Sequence, residues 1–95
     1  MIKIIKLING EDVIADVKEA YEDVAAYQLK KPVRIVLTER GLGMMPFSPF
    51  IKSDTVTIAK THVMVIGDAE DDLANEYNAK FGNGLVVPNI SLVKP

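Results

Sequence analysis

Asn9-Gly10 separates two runs of strand-forming residues, and no other feature constrains the fold of this chain as strongly. Residues 2–8 read Ile-Lys-Ile-Ile-Lys-Leu-Ile, β-branched and imperfectly alternating. After the break, Val13, Ala15 and Val17 alternate with Ile14, Asp16 and Lys18. A type I′ turn needs positive φ at both central residues, which Asn-Gly supplies, so the chain opens as a β-hairpin.

Further strands follow from the same period-two reading. In 27–38, Tyr27, Leu29, Val33, Ile35 and Leu37 fall on one face, with Lys31 as the exception. Pro32 lacks an N–H for a ladder, so this strand lies at an edge or bends there. Residues 54–60 alternate again, and 62–66 (His-Val-Met-Val-Ile) make a fifth strand. Residues 19–26, acidic and Ala-rich, read as a connection or one helical turn. Residues 39–53 carry two glycines and two prolines and read as a long loop or extended arm.

A helix follows the strands. Asp68 suits its N-cap, and Glu70, Asp71 and Asp72 suit the positive end of its dipole. Ala69, Leu73, Tyr77 and Phe81 recur at four-residue spacing and form one apolar stripe. Gly82-Asn83-Gly84 reads as its stop, and Leu85-Val86-Val87-Pro88 as an edge strand or a segment that docks on a neighbour.

With 95 residues, this is one domain: a barrel over 1–67, with the helix and tail of 68–95 packed on it. The fold class is mainly β, a small, strongly bent five-stranded antiparallel barrel with a C-terminal helix. Such a sheet must curl to bury one face. An OB barrel needs a helix between its third and fourth strands, and the glycines and prolines of 41–49 disfavour one.

Catalytic chemistry has little to work with. There is one histidine and no cysteine, so no disulfide, thiolate nucleophile or thiolate metal site is available. No nucleophile elbow or phosphate-binding glycine pattern occurs. Asp68-Ala-Glu-Asp-Asp-Leu resembles a calcium loop only superficially, since Leu73 takes the glycine position. The chain reads as no enzyme, with no cofactor and no metal. No apolar run approaches a membrane span, and Met1-Ile-Lys-Ile-Ile-Lys is no signal peptide, so the expected compartment is the cytoplasm.

The net charge of −2 disfavours nucleic acid only until its distribution is considered. Residues 68–82 hold five acids against Lys80 alone, whereas residues 1–67 are close to neutral. Met44-Met45-Pro46-Phe47-Ser48-Pro49-Phe50 is the most unusual segment. Burying each of its large apolar side chains contributes about 1.5–3 kcal/mol. Met44, Met45, Phe47 and Phe50 therefore pack on the barrel or a neighbouring copy, or form a docking arm for another protein.

Two stretches resemble the Sm/LSm superfamily and its Hfq branch. In Lys6-Leu-Ile-Asn-Gly-Glu-Asp-Val-Ile-Ala-Asp-Val17, the turn is followed by Val13, Ala15 and Val17 at the family's hydrophobic, small and hydrophobic positions, although the small residue there is usually glycine. In Ile58-Ala-Lys-Thr-His-Val-Met-Val-Ile66, Lys60-Thr-His-Val63 is similar to the Lys-His-Ala-Ile junction between Hfq's fourth and fifth strands, with the histidine displaced by one. The long loop and Pro-rich arm look most like the Sm-like proteins of marine cyanophages.

This resemblance implies a homo-oligomeric ring closed by edge pairing of the fourth and fifth strands. It also implies single-stranded RNA bound around the pore, in RNA metabolism or regulation, within the host bacterial cytoplasm. Lys60 would meet a phosphate or base oxygen, Thr61 would lie beside it, and His62 or Tyr27 would stack on a base. The alternative is a phage structural or protein-interaction scaffold that uses the same barrel without RNA.

Overall fold

The computed structural model describes residues 1–18 and 25–81. Its opening hairpin pairs β1 (Ile2–Leu7) with β2 (Asp12–Lys18), Ile4 opposite Ile14. The loop has three residues, not two: the Leu7 amide donates to the Glu11 carbonyl and the Gly10 amide to the Leu7 carbonyl, each at 2.9 Å. Only Gly10 takes positive φ (92°), while Asn9 uses its side-chain oxygen to accept the Glu11 amide at 3.0 Å. The expected type I′ turn is corrected in type but not in place.

Strand β3 (Ala26–Thr38) pairs with β2, and its register slips once. Ile14 faces Val33 and Asp16 faces Lys30, so Lys31 and Pro32 together oppose Ala15. Lys31 adopts φ 51°, the left-handed region that admits an extra residue in a bulge. One inserted residue exchanges the faces of everything beyond it. Tyr27 and Leu29 pack in one apolar cluster, Val33 and Ile35 in another. The single apolar face expected along this strand is thus two faces, divided at Lys31.

Residues expected as a loop form a further strand, β4 (Gly41–Pro46), paired with the outer half of β3. It is followed by β5 (Thr55–Ala59), on the inner half of β3, and β6 (Val63–Asp68), on β1. The result is a six-stranded antiparallel sheet, ordered β4-β3-β2-β1-β6 with β5 also on β3, rather than five strands. The sheet is not closed, because no ladder joins β5 to β6 among the described residues. It is nevertheless strongly curled. Val56 and Ile58 of β5 and Val63 and Ile66 of β6, from opposite ends of the order β5-β3-β2-β1-β6, pack on the same buried Ile5, Val13 and Leu29.

The other face of the sheet carries the helix α1 (Asp71–Phe81). The expected stripe is present: Ala69, Leu73, Tyr77 and Phe81 pack with Ile2, Ile4, Ile14, Val33, Ile35 and Met44. The helix begins later than Asp68 suggests. Glu70 supplies the first accepting carbonyl, to Ala74 at 2.9 Å, and Asp68 ends β6, where it pairs with Lys3 at 2.7 Å. Tyr77 is 2% exposed, and its hydroxyl donates to the Lys31 carbonyl (2.8 Å) and the Lys30 carbonyl (3.1 Å). The bulge takes these carbonyls out of regular pairing, and the helix supplies their donor. Among the described residues no helix is long and apolar enough to cross a membrane. The expected helix stop at 82–84, the edge strand or docking segment at 85–88, and residues 19–24 of the connection expected over 19–26 lie outside the described residues, while Ala26 already belongs to β3.

Candidate nucleic-acid interface

Strands β5 and β6 are joined by a single 3-10 turn, Lys60–His62. β-branched and aliphatic residues on both sides favour extended chain, and the polar Lys-Thr-His between them makes the break. Ala59 enters extended (φ −66°, ψ 135°) and Val63 leaves extended (φ −101°, ψ 119°). The turn is tied at both ends. The Lys60 amide donates to the Ala25 carbonyl at 2.9 Å, and the Ile8 amide donates to the His62 carbonyl at 3.0 Å. It therefore spans one end of the curled sheet, from the entry of β3 to the β1–β2 loop.

Two of the expected RNA-binding residues meet directly. The Lys60 ammonium sits 5.1 Å from the centroid of the Tyr27 ring, a cation–π contact. Such contacts at accessible sites contribute about 0.5–1 kcal/mol. Tyr27 is half-buried, packs on the interior cluster and pairs opposite Ile58. One face of its ring is thus occupied by Lys60, and the pair acts as one unit. Thr61 and His62 are exposed beside it.

A depression of about 250 Å³ adjoins the turn. His62, Leu7, Ile8, Phe47 and Ile58 line it, together with Asn9 and Glu11 from the β1–β2 loop. Its walls are mostly apolar, and its carboxylate is held by Arg34 at 2.8 Å and by the Asn9 side-chain amide at 2.8 Å. The arrangement offers a cation, an exposed imidazole and an apolar recess on one end of the fold.

The loop residues of this recess escaped sequence reasoning, because the Ile8–His62 backbone bond that gathers them joins positions far apart in sequence. A second depression, about 430 Å³, is lined by Asp16, Lys18, Gln28, Lys30, Asp54 and Thr55. The alternation of β2 marks Asp16 and Lys18 as outward-facing, but nothing in the sequence links them to 54–55. Its acids and lysines are equal in number, so it carries no net charge to attract a phosphate chain.

The four residues of the proposed docking arm do not form one surface. Met44 packs under the helix and Phe47 against the interior cluster, both half-buried. Met45 is 49% exposed and Phe50 fully exposed. Among the described residues, no group of three or more His, Cys, Asp or Glu side chains is placed to hold a metal ion. No protein-family model matches this chain, and no curated protein matches it.

Proposed function

We propose that this chain is the subunit of an Sm-like homo-oligomeric ring that binds single-stranded RNA through Lys60, Thr61, His62 and Tyr27. The observation that carries the reading is the position of the Lys60–His62 turn. It joins β5 and β6, each of which pairs on one edge only among the described residues. Unpaired edges invite strand addition. Pairing β5 of one copy with β6 of the next satisfies both edges, and such a head-to-tail contact closes into a ring where its rotation permits. The strand cycle β5-β3-β2-β1-β6, curled around one core, supports an Sm-like barrel within the six-stranded sheet.

The chemistry is that of binding, with no catalysis and no cofactor. A ring repeats the turn once per subunit, so one lysine per chain becomes a positive collar despite a net charge of −2 per subunit. Lys60 meets phosphate, and His62 stacks on a base at the recess, worth about 1–3 kcal/mol per base. Thr61 offers a hydroxyl between them. Tyr27 supports Lys60 from beneath and receives a base only when the ammonium moves aside.

Fluorescence anisotropy with short U-rich and A-rich RNA, at about 50 and 200 mM salt, tests the reading. Expected are saturable binding, weaker at the higher salt, and a shallower salt dependence in Lys60→Ala. Absence of binding to both RNAs at low salt sinks it. The scaffold reading then stands on the full exposure of Phe50, and it expects capture of a protein partner lost in Phe50→Asp.

A further inference from the structure

The hairpin of β3 and β4 outruns the rest of the sheet. Pairing of β3 with β2 stops at Ile35, whereas pairing with β4 continues through Leu37–Leu42 to Thr38–Gly41. Residues 36–43 therefore project as a two-stranded tip, an element of marginal stability in water. Leu37 and Leu42 stand opposite each other on it, 83% and 61% exposed. They continue the face of Ile35 and Met44, so the cover provided by α1 ends one residue pair short of the tip.

A second bare apolar patch lies at the other end of the sheet. In β6, Val63 and Ile66 enter the interior, while Met64 and Val65 are 60% and 56% exposed. A bulge opposite Lys6 and Leu7 leaves these two neighbours outside together. The two patches thus lie on the β3–β4 tip and on β6, at the two ends of the order β4-β3-β2-β1-β6.

We propose that the 36–43 tip of one copy packs its Leu37–Leu42 pair on the Met64–Val65 patch of the next copy. The proposal rests on the ring reading and deepens it by naming a second contact at each subunit boundary. Area argues for it. β5 has five residues, and pairing so short an edge falls well below the ~800 Å² per partner of a stable interface. In a head-to-tail assembly each copy offers its tip to one neighbour and its β6 patch to the other, so both patches are covered around the ring.

The test is sedimentation of the full chain over a concentration series, with Leu37→Glu/Leu42→Glu, with Met64→Glu, and with the two variants mixed. All three side chains are exposed, and thermal melts check that folding is retained. Each variant alone is expected to raise the half-assembly concentration about tenfold or more. The mixture is expected to form one-to-one pairs, because one variant keeps its β6 patch and the other its tip. A tip variant that assembles at wild-type concentrations overturns this contact and leaves the ring standing. An effect of the tip variant without one of Met64→Glu also overturns it, by showing that the tip docks elsewhere. A wild-type chain that sediments as a monomer throughout overturns both the contact and the ring.

Discussion

Tyr77→Phe isolates the hydroxyl that joins the helix to the bulge. The substitution keeps the ring, its contact with Phe81 (centroids 6.0 Å apart) and its place in the cluster. It removes the donor shared by the Lys30 and Lys31 carbonyls. Both bonds are part-buried, and losing them costs about 1–1.5 kcal/mol, so the urea midpoint at neutral pH should fall by about 0.5–1 M. The hydroxyl also ties stability to pH. Burial, aided by the nearby Asp16 and Asp54 charges and opposed by a hydrogen bond from the Asp16 backbone, pushes its pKa from 10.0 up to about 12. The folded value lies above the unfolded one, so the stabilisation is complete below pH 10 and is lost as pH rises toward 12. Two pKa steps correspond to about 3 kcal/mol. The stability difference between wild type and Tyr77→Phe should therefore be constant up to about pH 9 and shrink or reverse by about pH 11.5. Urea titrations across that range measure it, and other titrating groups cancel in the difference. A difference that stays constant to pH 11.5 would refute the placement of a buried, donating hydroxyl at the bulge.

Gly10→Ala places a side chain at φ 92° where nothing lies within 4 Å of the added Cβ. The loss is therefore one of backbone conformation, about 1 kcal/mol in urea denaturation. Lys31→Val puts a β-branched residue at φ 51° and should cost about 1–2 kcal/mol by the same measurement. On the RNA reading, His62→Ala weakens binding about 5- to 100-fold while leaving the salt slope unchanged, which anisotropy at several salt concentrations separates from the Lys60 effect.

Much of the fold is legible in the sequence because it rests on local periodicity. The alternation of 13–18 and the four-residue spacing of Leu73, Tyr77 and Phe81 both appear in the structure as read. Strand β4 is not legible, because glycines and prolines lower its own preference and the pairing with 33–38 makes it a strand. Gly43 sits where a Cβ would come within 3.2 Å of the Val36 side chain, so a residue that reads as a loop signal serves close cross-strand approach. The candidate site divides in the same way. Lys60 and His62 sit on one turn by adjacency, whereas the seat of Lys60 on Tyr27 depends on the Ala25–Lys60 bond across the sheet.

The bulge at Lys31 links these observations. Without the bulge, regular alternation along β3 would direct Val33 and Ile35 to the same side as Leu29, and α1 would lose half of its seat. With it, the inner half of β3 serves the curled interior and the outer half serves the helix. The exchange has a further consequence. It also turns Leu37 to the helix-bearing side, where it stays 83% exposed among the described residues. Thus the device that gives the sheet a second core also leaves an apolar tip in water. On the proposed contact, a neighbouring copy with its own bare strand at the opposite end of the sheet would cover that exposure by assembly.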